Sequence, residues 1–142
     1  MKRILQTLIF TFVLLVIVSC GDKPGGLRKP DEMVPDFCAR LNKACEDVRY
    51  ENLLKLFDDD CKIVLQTEFN PEVHRGMKGA RTYFSAIPVD TKFEIGAVTL
   101  NGLDAVTEYV FLQPNGVNGS GKWMFRINNM GKIMDFTIIP GD

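Results

Sequence analysis

His74 is the only histidine in 142 residues, and it stands two residues after Glu72 and six after Glu68. An imidazole titrates near neutrality, so a histidine beside a carboxylate is the simplest general base a sequence can offer. Glu72, Glu68 and, near the end of the chain, Asp135 are the candidate partners. The rival reading is a rim histidine with no role. Asp58-Asp59-Asp60 is the densest run of acids. Consecutive acids lack the alternating ligand spacing of a calcium loop, and a solvated helix end accounts for them. Cys38, Cys45 and Cys61 show no zinc spacing with His74, so no metal site is expected. Nothing in the sequence calls for a cofactor.

Tyr83, Tyr109 and Trp123 offer broad apolar surface with one polar handle each, the side-chain type that lines a pocket for an apolar molecule. Leu65, Phe125 and Phe136 join them as candidate ligand-binding residues. The alternative is that the same side chains fill the core of a small domain and leave no cavity.

These residues must be positioned by a mixed set of elements. Val34, Phe37, Cys38, Leu41, Cys45 and Val48 recur at helical spacing. Pro35 is tolerated only in a first turn, so the helix is expected to start near it. Tyr50, Leu53, Leu54 and Phe57 repeat the pattern, with Asp47 as a candidate N-cap, and the two helices should lie antiparallel. Residues 61–67 read as a strand, Asn70-Pro71 as a turn and 72–75 as a short return strand. Gly76 and Gly79 lead into a third helix carrying Ala80, Tyr83, Phe84 and Ile87, which Pro88 stops.

From there the chain is β. Residues 92–100 and 105–113 read as long strands joined at Asn101-Gly102, and residues 121–139 as a hairpin turning at Asn128-Asn129-Met130-Gly131. Alternation turns Phe93, Ile95 and Ala97, Thr107, Tyr109 and Phe111, Trp123 and Phe125, and Met134, Phe136 and Ile138 inward. No Asp or Glu shares those faces, and Asp135 points outward. Val110, Met124, Ile133 and Ile139 then fall on an outer face more apolar than a solvated surface usually is.

The first nineteen residues stand apart. Lys2 and Arg3 precede an apolar run to Val18, followed by Ser19-Cys20. This resembles a bacterial lipoprotein signal peptide with its lipobox, which implies cleavage before Cys20 and acylation of its thiol, for instance with palmitate. An ordinary secretory signal and an uncleaved signal anchor are the rival readings. Residues 1–19 are thus assigned to the signal, 20–30 to a lipidated tether rich in Gly and Pro, and 31–142 to one domain. Gly21, not Asp, follows Cys20, which favours the outer membrane of the cell envelope. Without residues 1–19 the chain has 15 basic and 18 acidic side chains, a net charge of −3. That leaves no basic surplus for phosphates, and nucleic acid is not an expected partner.

Three stretches carry a further likeness: Leu56-Phe57-Asp58-Asp59-Asp60-Cys61, the glycine-led helix of residues 76–84, and Phe125-Arg126-Ile127-Asn128 with Gly131-Lys132-Ile133. In their order and spacing they resemble the nuclear-transport-factor-2-like superfamily, which includes SnoaL-like polyketide cyclases, ketosteroid isomerase and scytalone dehydratase. The resemblance implies an α+β cystatin-like cone, with three N-terminal helices packed on a curved, mostly antiparallel sheet around a pocket open at one end. Relatives often dimerise through the outer face of the sheet, so the resemblance also implies a homodimer, and it implies where chemistry would sit. Leu65, or Gln66 with a slip of one, occupies the place of the isomerase's general base. Trp123 stands at its second acid, and Arg40 or Leu41 at its oxyanion-binding tyrosine. All three places lack the required group, so the expectation is a non-catalytic domain that binds a small apolar ligand or a protein partner. A histidine–acid dyad serves some members of the superfamily, which keeps His74 as the catalytic candidate.

Cys38 and Cys45 lie seven residues apart on one helix, roughly 10 Å along its axis, too far for a disulfide. If the second helix runs back along the first, Cys61 arrives near Cys38 and the two can pair. Otherwise all three cysteines are small buried hydrophobes.

Overall fold

The computed structural model describes residues 28–142. Cys20, the signal segment 1–19 and most of the tether lie outside the described residues. Three helices and six strands follow in order: α1 (Pro30–Asp47), α2 (Glu51–Leu54), β1 (Phe57–Leu65), β2 (Glu72–Arg75), α3 (Gly76–Ser85), β3 (Lys92–Asn101), β4 (Asp104–Leu112), β5 (Asn118–Ile127) and β6 (Ile133–Pro140). The strands form one sheet in the order β2-β1-β6-β5-β4-β3. Every neighbouring pair is antiparallel except β1 and β6, which run parallel. The fold is therefore the expected α+β cone, with helices on one face of a mostly antiparallel sheet.

Its core is aromatic. Phe37 of α1 meets Trp123, Phe125 and Phe136 of the sheet edge-on, with ring centroids 5.3, 5.0 and 4.9 Å away. Edge-to-face packing sets the electropositive ring edge against an electronegative face, so these contacts add to the gain from burial. Residues 28–142 contain this whole core and all of the sheet pairings, which is what a stretch needs to fold as a unit. Among the described residues no helix is long and apolar enough to cross a membrane.

Several local expectations need correction. The first helix begins at Pro30, five residues before Pro35, which sits inside it. A proline there costs one hydrogen bond to the carbonyl four residues back, and Asp31, which owns that carbonyl, is exposed to solvent. The second helix is a single turn, its N-cap is Tyr50 with no side-chain bond, and Val48 is exposed in the left-handed region. Asp58, Asp59 and Asp60 lie within β1 and not at a helix end.

The inward register also slips at two bulges. Between Ile95 and Val98 of β3 an extra residue turns Ala97 outward. Between Ile133 and Asp135 of β6, which pair with Ile127 and Arg126 of β5, another buries Ile133, which alternation places outside. The first bulge explains the one polar side chain on the inner face of β4. Thr107 Oγ1 reaches the carbonyls of Gly96 and Ala97, 3.1 and 3.2 Å away, which the bulge removes from the ladder.

Asn42 fixes α1 against the free edge of the sheet. Its Oδ1 accepts from Phe93 N–H at 2.7 Å and its Nδ2 donates to Phe93 O at 2.9 Å, so the amide replaces the next strand.

Candidate functional site

The cone opens at the end where β1, β4 and β6 finish and β3 and β5 begin. A cavity of about 440 Å³ lies there. Leu65 and Ile138 form one wall, Phe93, Tyr109 and Trp123 the sheet floor, and Tyr83, Phe84 and Ile87 of α3 and its exit the roof. Two features of the sequence shape it. Pro88 ends the helical stretch and turns the chain into β3, leaving the end of α3 at the mouth. Gly119 and Gly121 face Phe111 and Tyr109 across the β4–β5 ladder, so these two rings can lie flat over β5.

Five of the six candidate ligand-binding residues come together in this cavity: Leu65, Tyr83, Tyr109, Trp123 and Phe136. Phe125 does not join them. It lies deeper, stacked on Phe136 at 4.8 Å and 22°, as part of the solid core. Tyr109 stacks on Trp123 at 4.8 Å and 16°, giving the floor a broad flat surface. Gln113 and Phe111 also reach the cavity. Their signal was present in the sequence, because residues 109, 111 and 113 share one face of an extended strand.

His74 lies on the same rim. Its Nε2 is 2.6 Å from Glu72 Oε1, its ring packs 5.6 Å from that of Tyr83, and both His74 and Glu72 line the cavity. Of the three candidate partners, the fold therefore selects Glu72, two residues away on the same face of β2. Asp135 pairs with Lys62 at 3.9 Å on the opposite face of the sheet. Gly79 lets α3 approach this dyad, since a Cβ there would come within 2.8 Å of the His74 backbone.

Burial raises the pKa of Tyr83 well above that of an ordinary phenol, and nearby Tyr109 and Glu72 add to the effect. Burial also raises that of Tyr109. Both hydroxyls thus stay protonated at neutral pH and can donate hydrogen bonds. Among the described residues no buried side-chain nitrogen or oxygen lacks a partner, and no cluster of His, Cys, Asp and Glu is arranged to hold a metal ion.

Cys38 and Cys61 do not form the disulfide considered above. Cys38, Cys45 and Cys61 are all free thiols. Cys38 Sγ faces Phe93 O at 3.5 Å, while Cys61 Sγ faces Gly76 O at 3.6 Å at the start of α3. With α2 reduced to one turn, no long return helix brings the two together.

No family model matches the sequence, and no curated protein matches it. Solved structures do match by shape. An NTF2-like protein from Mesorhizobium loti aligns with a TM-score of 0.62 at 18% identity, over 81% of this chain and 96% of that one. A cystatin-like-fold protein from Methylobium petroleophilum PM1 gives 0.64 at 10%, over 80% and 79%. A SnoaL-like polyketide cyclase candidate from Jannaschia sp. CCS1 gives 0.59 at 11%, over 80% and 89%. At these identities the likeness concerns the fold: the chain folds as the cystatin-like α+β cone that NTF2-like and SnoaL-like proteins share.

Proposed function

We propose that this chain is a lipid-anchored protein of the bacterial cell envelope whose cone takes up a small, largely apolar molecule and releases it unchanged. The observation that carries the reading is the cavity. Its floor and walls are aromatic and aliphatic, its polar groups are few, and the one carboxylate among its lining residues is Glu72 on the rim. At protein-like packing density such a space holds a molecule of roughly 20 non-hydrogen atoms. Cys20 would supply the anchor, and the outer membrane is the compartment its flanking residues favour.

The deciding experiment is native mass spectrometry of the domain purified from a periplasm. A reproducible extra mass is expected, and it should disappear in Tyr109→Ala and in Leu65→Trp, which fills the mouth from a half-buried site. A bare protein mass in every preparation would overturn the ligand reading. The anchor is tested separately, by incorporation of labelled palmitate into the full chain and its loss in Cys20→Ala.

One contact favours a second reading, an isomerase, cyclase or dehydratase with His74 as base: the 2.6 Å pairing of His74 with Glu72 on the cavity rim. Proton abstraction needs a base within hydrogen-bond reach of the substrate and an oriented imidazole, and this pairing supplies the orientation. Once a bound molecule is identified, incubation with wild type and His74→Ala separates the readings. Recovery of the molecule unchanged from both supports binding alone, and conversion by wild type only supports the enzyme.

A further inference from the structure

One formal charge faces the cavity. Among the described residues that line it there is no Lys or Arg, and Glu72 is the one acid. His74 need not cancel that charge, because a neutral imidazole can donate Nε2–H to Glu72 Oε1, 2.6 Å away, and leave the carboxylate ionised. Only one carboxylate oxygen is used in this way. The Glu72 side chain is 56% exposed, so Oε2 can accept from a second donor at the rim.

The rest of the lining agrees in sign. The hydroxyls of Thr82 and Thr91 are spent on the carbonyls of Lys78 and Pro88. Tyr83 and Tyr109 bring phenol oxygens, which accept as well as donate. The faces of aromatic rings such as the Tyr109–Trp123 floor are electronegative and attract a cation. Just outside, Glu68 belongs to the β1–β2 loop, whose two flanking residues, Leu65 and Glu72, line the cavity. Asp90 belongs to the turn between Pro88 and Thr91, which line it too. Lys92, where β3 begins at the mouth, lies 3.8 Å from Glu46 and is already paired.

An anionic ligand would therefore bring a second negative charge to this rim with no cation to meet it, a costly arrangement where apolar walls exclude water. An ammonium would find a carboxylate oxygen, phenol oxygens and aromatic faces. Building on the reading of the cavity as a ligand site, we propose that its ligand is an amine. The apolar body lies on the aromatic floor between Leu65 and Phe93, and the protonated nitrogen sits at the rim, hydrogen-bonded to Glu72 Oε2 with the Tyr83 hydroxyl beside it. Glu72 then selects the ligand's charge, and His74 holds Glu72 in place. This is the reverse of the dyad a base would need, in which the carboxylate orients the imidazole.

Displacement of the fluorescent probe N-phenyl-1-naphthylamine from residues 28–142 near neutral pH tests it, with three ligands of one chain length: decylammonium, decanol and decanoate. Decylammonium should bind at least about tenfold more tightly than decanoate, with decanol between them, as one charge-assisted hydrogen bond warrants. Glu72→Gln keeps the shape and can keep the bond to His74, and it should bring the two charged ligands to within about threefold of each other. Glu72→Lys should reverse their order. Urea midpoints check that both variants fold, as expected for a substitution at an exposed side chain. Decanoate binding as tightly as decylammonium, or a preference that Glu72→Gln leaves unchanged, overturns the proposal and leaves the cavity a ligand site. Failure of the probe and of all three ligands to bind wild type removes the ligand reading itself, and the proposal with it.

Discussion

The ring of Tyr109 lies in the space that a side chain at Gly121 would need: a Cβ there would come within 2.9 Å of both Tyr109 Cε1 and Tyr109 Oη, and closer still to the backbone carbonyl oxygen of Ile139. The two residues are cross-strand partners in the β4–β5 ladder, so the glycine is what allows the tyrosine to lie down and stack on Trp123. Gly121→Ala should push on both the Ile139 carbonyl in β6 and the Tyr109 ring, cost at least about 2 kcal/mol through overpacking, and weaken uptake of an apolar ligand. Urea unfolding and native mass spectrometry read the two effects. Gly119→Ala meets only the end of the Phe111 ring, which is half-buried at the mouth and free to swing, and should cost less.

Thr107 is buried, and its hydroxyl serves carbonyls left over by the β3 bulge. Thr107→Val keeps the shape and removes the donor. The loss of stability should be about 0.5–1.5 kcal/mol, the net worth of the lost hydrogen bond, whereas Thr107→Ser should keep most of the stability. Equal destabilisation by Val and Ser would show that packing matters here and the hydrogen bond does not.

Acid should weaken the fold through two aspartates. Burial acts to raise the pKa of Asp36, but hydrogen bonds from Arg28 and Arg40 outweigh it and hold the group below its usual 3.8. Asp104 is held below 3.8 by its hydrogen bonds with Arg126. A carboxylate whose pKa is depressed by folding contributes stability above its unfolded pKa and loses it as pH falls through the folded value. Stability from these two should therefore be constant from neutrality down to about pH 4 and fall below it, and Asp36→Asn should flatten that fall. Urea midpoints measured from pH 2 to 7 would show it.

The three thiols should be inert in the folded protein. Burial, before any neighbouring charge, pushes Cys38, Cys45 and Cys61 each up to about 11. At pH 8 the thiolate fraction is small and access is closed, so alkylation of residues 28–142 should need denaturant. Rapid labelling of any of the three under native conditions would mean that α1 or β1 opens locally.

The architecture was legible because the chain marks its turns and faces. Gly102 and Gly131 sit at positive φ in the two hairpin turns where Asn-Gly and Met-Gly suggest them. Alternation placed Tyr109, Trp123 and Phe136 inward, and with Leu65 and Tyr83 they do line one cavity. Bulges carry no comparable mark, because one extra residue leaves the composition unchanged and reverses every assignment beyond it. That is why Ala97 and Ile133 were placed on the wrong faces. Phe125 was misjudged for another reason: alternation says which face a side chain takes, but not how far from the mouth it sits. The pairing of His74 with Glu72 was only one of three possibilities until β2 formed and set both on one face.

The direction of α1 governs which way the domain looks. The helix begins at Pro30 and reaches the rim only with Asn42 and Cys45, through their bonds to Phe93 and Asp90. The polypeptide therefore enters the domain at the pole opposite the opening. Were Cys20 embedded in a bilayer, that pole would rest toward the lipid and the opening would look out into the aqueous compartment. A single tether of about ten residues, with a reach of roughly 30 Å, would still let the domain swivel.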